Sequence, residues 1–165
     1  ADTSGAFANS IVLNAGERNN VRKGQAAIVG DGLVGRVAGV GKNSSRVLLA
    51  TDLNSRIPVN IQPANIRAIL AGDNSSYPKL IHLPPGAVIE QGERIVTSGH
   101  GGAFPPGLPV GVIKLVNEGN ISVKLFADRR KMVYVRLLDY GIHGIVKMPP
   151  VKSGVATTGL MKNKE

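Results

Sequence analysis

The sequence has no cysteine and no tryptophan, and aromatic residues make up only 4% of it. Without cysteine, the chain has no disulfide bonds, no thiolate metal ligands and no cysteine nucleophile. Scarce aromatic rings leave little material for stacking nucleic-acid bases. Hydrophobic residues still account for 42% of the sequence, so we expect a core built mainly from Val, Ile and Leu.

Long apolar runs and charge blocks are also missing. No stretch reaches the roughly 18 apolar residues of a membrane span, and the polar residues 1–5 lack the pattern of a signal peptide. Any targeting segment is therefore expected to lie outside this sequence. The formal net charge is +9, but no five like charges are consecutive. Such dispersed charge fits a solvated basic surface or an anionic partner, and composition alone does not separate the two.

The chain is rich in residues that interrupt secondary structure. Its 21 glycines and 10 prolines are spread over the whole length, so they favour many short strands over long helices. Apolar or alternating runs at 26–29, 32–40, 46–50 and 56–61 are typical of such strands. The sequence thus predicts an all-β protein.

An internal repeat sets the expected architecture. Residues 35–52, GRVAGVGKNSSRVLLATD, match residues 111–128, GVIKLVNEGNISVKLFAD, with a constant shift of 76. Upstream, residues 23–29 resemble 91–97 with a shift of 68, so the second copy carries an eight-residue insertion in the loop 99–108. The repeat predicts two small six-stranded Greek-key-like β-barrels with little or no helix.

The repeat also suggests boundaries and core residues. We expect a first barrel at 22–86 and a second at 87–146, joined by the strand 11–14, with flexible residues 1–10 and a mobile tail at 147–165. Four apolar residues at matching repeat positions are predicted to point into the barrel cores; they are Val47, Leu49, Val123 and Leu125.

Several motifs imitate catalytic or cofactor sites. Residues 30–35 fit G-x-G-x-x-G, but strand-like alternation follows where a nucleotide site needs a helix, so a hairpin is expected. Ser98 and His100 share a Gly-rich loop, which favours turn chemistry over a catalytic pair. The histidines lack metal-ligand spacing. Asp52 and Asp128 occupy equivalent repeat positions, which favours a structural role such as an Asx turn. We therefore predict no catalytic, cofactor-binding or metal-binding residues.

The loop 101–109, GGAFPPGLP, is the most distinctive local feature. Its prolines restrict the backbone and its glycines permit tight bends, so little entropy is lost when a partner binds. We consider Phe104, Pro105, Pro106 and Leu108 candidate protein-binding residues. The alternative is that Phe104 folds back onto its own barrel.

Longer motifs carry a resemblance to a known family. Residues 32–37 (GLVGRV), 43–49 (NSSRVLL), 51–59 (TDLNSRIPV) and 96–111 (VTSGHGGAFPPGLPVG) resemble, in order, the two barrel signatures of the rod shape-determining MreC family. The resemblance runs from about residue 11 to about residue 146. Beyond Pro150 the tail departs from the family pattern.

The resemblance implies a function that composition does not. It implies two β-barrels on the periplasmic side of the bacterial inner membrane, anchored through a segment absent from this sequence. It also implies a non-catalytic scaffold without cofactors that self-associates as a dimer or filament. The implied partners are the elongation penicillin-binding protein and other cell-wall elongation proteins.

Two other functions remain open at the level of the residues. A basic small barrel could bind single-stranded nucleic acid, although six scattered aromatic residues make a poor stacking face. A chymotrypsin-like hydrolase also has two barrels, but we find no convincing His, Asp and Ser in that order.

Overall fold

The computed structural model describes residues 9–128, 130, 134–141 and 144–152. The regular secondary structure of the described chain is almost entirely β-strand, with two 3-10 turns at Glu17–Asn19 and His100–Gly102. None of its helices is long and apolar enough to cross a membrane. The strands are β1 (Ser10–Leu13), β2 (Ala26–Val29), β3 (Gly32–Val40), β4 (Ser45–Leu49), β5 (Arg56–Ile61), β6 (Ile66–Ala71), β7 (Lys79–Ile81), β8 (Arg94–Thr97), β9 (Pro109–Asn117), β10 (Asn120–Leu125), β11 (Tyr134–Gly141) and β12 (Gly144–Lys152).

The strands form one closed barrel and one further sheet. The barrel has the order β10-β7-β6-β5-β8-β9, and the six-stranded sheet has the order β1-β4-β3-β2-β11-β12. All neighbours in both are antiparallel. The all-β prediction is therefore confirmed and one six-stranded barrel is present. The second unit is described as a sheet, so two barrels are not confirmed.

The predicted division of strands between the two units is wrong. Strands β2 to β4 of the range 22–86 lie in the sheet, whereas β5 to β7 lie in the barrel. The reason is an exchange of hairpins: β5 leaves its own half to pair with β8, and β11 returns to pair with β2. Strand β1 pairs with β4 in the sheet, not with the barrel.

The exchange is reciprocal and conserves register between the halves. In the barrel, Asn60 of β5 lies opposite Val96 of β8. In the sheet, Arg136 of β11 lies opposite Ile28 of β2. Adding 76 to the number of Asn60 gives Arg136, and subtracting 68 from the number of Val96 gives Ile28. The two shifts found in the sequence therefore also relate the two strand pairings.

The two repeated hairpins, β3–β4 and β9–β10, also have the same pairing register. Gly35 pairs with Leu49 between β3 and β4, and Gly111 pairs with Leu125 between β9 and β10. Both hairpins contain a bulge at the equivalent place, where one strand carries an extra residue. Corresponding residues of the two copies therefore occupy corresponding places in the two hairpins.

The matched glycines permit a close approach of strands. A Cβ added at Gly35 would collide with the carbonyl oxygen of Leu48, and one added at Gly111 would collide with that of Lys124. Leu48 and Lys124 are themselves equivalent under the shift of 76. Both glycines are thus required by packing, because even one methyl group has no space at either position.

Strand β2 joins the two cores, because it is buried on both faces. Ala26 and Ile28 pack into the core that fills the barrel, while Ala27 and Val29 pack into the core of the sheet. Side chains alternate across a strand, so a continuous apolar run serves two cores at once. Strand β2 of the sheet therefore contributes side chains to both cores.

The predicted core residues are largely confirmed. Val47, Leu49 and Val123 are buried, and Leu125 is partly buried against the barrel core. Val47 and Leu49 belong to the core of the sheet, because β4 lies there.

Part of the expected mobile tail is a strand. Residues 147–152 belong to β12 and pair with β11, and their two prolines lie beside a bulge in that pairing. Proline is tolerated there because β12 is at an edge of the described sheet and a bulge already interrupts the ladder. Residues 1–8 and 153–165, which were expected to be flexible, lie outside the described residues.

Candidate protein-contact surface

The Gly/Pro loop leaves the barrel after β8 and returns at β9. At its start Gly99 has φ of +76°, and a Cβ there would lie 2.8 Å from Cβ of Pro106. Only glycine meets both conditions without strain. The loop therefore bends sharply and folds against itself.

Thr97 fixes the other side of the loop. Its buried Oγ1 donates a hydrogen bond to the carbonyl of Pro105 at 2.6 Å and accepts one from the amide of Leu108 at 2.8 Å. The amide of Gly107 donates to the Thr97 carbonyl at 2.8 Å. A side chain that satisfies two loop groups in a dry environment holds the loop in one conformation.

Of the two alternatives for Phe104, the structure shows the second, in which the ring folds back onto its own barrel. Phe104 is only 3% exposed, and it packs with Leu108 into the barrel core. Its ring lies 5.9 Å from the guanidinium carbon of Arg36 on β3 of the sheet. The insertion folds back because a buried Phe removes its ring from water.

The four candidate binding residues differ in how far they are buried. Pro105 is buried with Phe104 and Leu108, and Pro106 is exposed. Three of the candidates are thus buried, two of them in the barrel core, and only Pro106 among the four is exposed to a partner. Whether the loop contacts a partner stays a prediction, and any contact would use its exposed backbone and Pro106.

Asp52 is fully buried and satisfied by hydrogen bonds. Its carboxylate accepts from the amide of Asn9 at 2.8 Å and from the amide of Asn54 at 2.7 Å. At the equivalent position, the Asp128 carboxylate accepts from the amide of Arg130 at 2.9 Å. Both aspartates therefore bond the amide two residues on, as an Asx turn requires.

The remaining motifs form ordinary turns. The glycines of 30–35 lie in the tight hairpin between β2 and β3, with Val29 opposite Gly32. Ser98 Oγ accepts a hydrogen bond from the amide of His100 at 3.1 Å. Within the described ranges, no three His, Asp or Glu side chains cluster as metal ligands would. His143 lies outside the described residues.

Of the four aromatic side chains whose burial the structure describes, Phe104 and Phe126 are at least partly buried, and Tyr77 and Tyr134 are exposed. Phe104 is buried, and the guanidinium of Arg94 lies 4.9 Å from the ring centre of Phe126. Phe7 lies outside the described residues. The exposed rings are apart in the fold: Tyr77 lies in the loop before β7 of the barrel, and Tyr134 begins β11 of the sheet. This arrangement does not favour a stacking platform for nucleic acid.

An ion pair borders an exposed part of the barrel. Lys79 Nζ lies 3.2 Å from the carboxylate of Asp73, which also accepts hydrogen bonds from the hydroxyl and amide of Ser75. Partial burial raises the pKa of Asp73, but the Ser75 hydrogen bonds and the Lys79 cation outweigh it and leave that pKa below its usual 3.8. Asp73 thus holds Lys79 on the outer surface.

Comparison with known proteins gives one consistent answer. The family described as rod shape-determining protein MreC, barrel core, matches residues 1–139. The cell shape-determining protein MreC of Cereibacter sphaeroides is 45% identical over 138 residues, which are 84% of this chain and 46% of the relative. That of Caulobacter vibrioides is 47% identical over 138 residues, 84% of this chain and 40% of the relative.

Solved structures agree with this result. A structure of MreC shares 32% identity at a TM-score of 0.73, covering 83% of this chain and 81% of the other. The major periplasmic domain of the cell shape-determining filament MreC has a TM-score of 0.67 and 28% identity, with 79% and 86% covered. The complex of penicillin-binding protein PBP2 with MreC from Helicobacter pylori matches at 0.60 and 18% identity, covering 75% and 83%, which supports the fold alone.

These matches define a bacterial cell shape-determining protein with a β-barrel core. The chain belongs to the MreC family. It spans about half the length of the curated relatives it matches.

Proposed function

We propose that this chain is the periplasmic core of a non-catalytic scaffold that holds the cell-wall elongation machinery together and so maintains rod shape. Family membership carries the proposal, and the similarity to a periplasmic MreC domain supports the location. The scaffold is anchored in the inner membrane through a part of the protein outside this sequence.

The partner we propose is the elongation penicillin-binding protein. A related MreC has been solved in complex with PBP2. The architecture of this chain supports the same use, because side chains of the sheet pack into the barrel core and hold the two units together. Little conformational entropy is then lost when a partner binds. Self-association as a dimer or filament belongs to the same proposal, supported by the filament relative.

A direct binding measurement tests this function. The purified chain is passed over the immobilised periplasmic part of the elongation penicillin-binding protein from the same organism. We expect saturable binding, with albumin-coated sensors as the control. A second arm expresses the full-length protein, with or without this region, in cells depleted of their own copy. Loss of rod shape only without the region supports the proposal, whereas absent binding together with normal rods contradicts it.

We also propose that the barrel and the sheet descend from one duplicated module. The equal pairing registers, the equivalent bulges and the matched glycines support it. The turns before β2 and β8 agree as well, because Gln25 Oε1 accepts from the Arg22 amide and Glu93 Oε1 accepts from the Glu90 amide. Superposing an experimental structure on itself by the two shifts tests this.

A further inference from the structure

A hollow lies on the outer face of the sheet, where three neighbouring strands place a valine, an arginine and a glycine side by side. Val12 of β1 lies opposite Arg46 of β4, and Arg46 lies opposite Gly39 of β3. Directly opposed residues of paired strands are on the same face of a sheet. That face is turned away from the sheet core, because the strand neighbours Leu13 and Val47 are fully buried in that core.

The glycine at position 39 keeps this hollow open. Apart from the neighbouring residues of the chain, a Cβ added at Gly39 would have no heavy atom within 4 Å. The cavity has a volume of about 270 Å³, and Val12 and Arg46 are among the residues that line it. In the second copy Leu115 takes the place of Gly39, and Ser122 opposite it takes the place of Arg46. The first copy therefore has a cavity and a cation where the second has a leucine and a hydroxyl group.

Arg46 supplies the charge of this cavity. The residue is half-buried, and its Nη1 donates a hydrogen bond to Ser10 Oγ at 2.9 Å. Among the residues that the structure describes, no carboxylate forms an ion pair with Arg46. A guanidinium has five N–H donors, so the bond to Ser10 leaves others for a ligand. Lys42 at the adjacent hairpin tip and Arg18 in the turn bonded to it outnumber Glu17, which makes the surroundings net positive.

We propose that this cavity, the Arg46 cavity, binds the free carboxylate end of a short peptide whose last residue has a small aliphatic side chain. The planar guanidinium bonds a carboxylate through two parallel N–H groups, and the aliphatic group contacts Val12 and Ala38. One guanidinium balances the single charge of a carboxylate, whereas a phosphate monoester carries about −1.5 to −2. The cavity is smaller than the roughly 300–1,000 Å³ of pockets for drug-sized ligands, which suits a single residue. This site does not rest on the scaffold function proposed above.

An NMR titration of the isotope-labelled chain with N-acetylalanine tests the proposal. We expect the backbone amide signals of Gly39 and Gly41, which both line the cavity, to shift in a saturable way. For a ligand with so few atoms the dissociation constant should be on the order of 1–10 mM. N-acetylalaninamide, the uncharged analogue, should bind about tenfold more weakly or not at all.

Two further probes examine the class of ligand. Inorganic phosphate should bind more weakly than N-acetylalanine, because the cavity offers one guanidinium and apolar walls. Propionate has the carboxylate and a small aliphatic group but no peptide amide, and it should also bind more weakly. Phosphate or propionate binding as tightly as N-acetylalanine would overturn the assignment to a peptide end.

Two variants remove the site in different ways. Arg46→Met removes the cation, and Gly39→Leu fills the cavity and keeps the cation. Leu115 shows that leucine is accepted at this position of the hairpin, and the open space at Gly39 admits its side chain. Each variant should weaken the binding of N-acetylalanine by about tenfold or more. Lys42→Met is the matched control, because Lys42 is an exposed cation of the same hairpin outside the cavity lining; its affinity should stay within about twofold at 0.15 M salt.

The outcomes separate a specific site from general attraction of anions. Binding that needs the carboxylate, is lost in both cavity variants and is kept in Lys42→Met supports the Arg46 cavity. Equal weakening by Lys42→Met and Arg46→Met would show attraction to a basic surface and overturn the proposal. Saturable shifts that leave Gly39 unaffected, or no saturable binding at all, would overturn it too. If Arg46→Met lowers the melting temperature because the bond to Ser10 is lost, Gly39→Leu decides, and unchanged binding by Gly39→Leu contradicts the site.

Discussion

Replacing Phe104 by alanine separates a core role from a binding role. Phe104 is almost completely buried in the barrel core, so truncation removes most of an aromatic side chain from a site closed to water. Buried Phe→Ala changes cost about 3–5 kcal/mol, and the cost rises where the cavity cannot collapse. The walls here are strands of a closed barrel, which limits collapse. We therefore expect the upper half of that range.

The assay is chemical and thermal unfolding followed by circular dichroism. For a chain of this size the loss corresponds to a fall in melting temperature of roughly 8–20 °C. Pro106→Ala in the same loop is the control, because Pro106 is exposed and its replacement acts mainly on the unfolded chain, by less than about 1 kcal/mol. An unchanged melting temperature for Phe104→Ala, with partner binding lost, would refute the buried placement.

Three further predictions follow from close contacts and charges. Gly35→Ala and Gly111→Ala should each destabilise the chain by several kcal/mol in urea unfolding, because the added methyl meets a carbonyl oxygen in both hairpins; a neutral effect at either would argue against the matched packing. Asp52→Ala should cost on the order of 2–3 kcal/mol, since two backbone amides lose a buried charged acceptor, and Asp52→Asn should cost less in the same measurement. In an NMR titration the Asp73 carboxyl should have a midpoint below 3.8, because its pKa is lower in the folded chain. The small stabilisation that Asp73 gives is therefore present above pH 3.8 and is lost as the pH falls through the folded pKa. A midpoint at or above 3.8 would contradict this.

The sequence was informative wherever a local pattern has a local cause. Short alternating runs and dispersed glycine predicted strands, and Val47 and Val123 were correctly predicted to be core residues from their periodicity and their matching repeat positions. The Asx turns at Asp52 and Asp128 could be predicted because an aspartate bonds an amide two residues away in the chain. The hairpin at Gly30 could also be predicted, because a glycine-rich turn between two strands is a local feature of the sequence.

The candidate surface was harder to predict. The stiff loop made Phe104 a candidate binding residue. Whether an apolar residue in a loop points outward, however, depends on what the loop folds against, which here is the barrel core and Arg36.

The sequence by itself determined the all-β class, the repeat with its two shifts, and the family. These depend on residue order and spacing, which the chain carries directly. Only the tertiary structure decided which strands share a sheet. Strands β5 and β11 pair across the two halves of the sequence, and the residues of a strand do not specify the strand with which it pairs. An antiparallel ladder is made by backbone groups that every residue possesses, so the choice among ladders depends on which arrangement buries the most apolar surface in three dimensions.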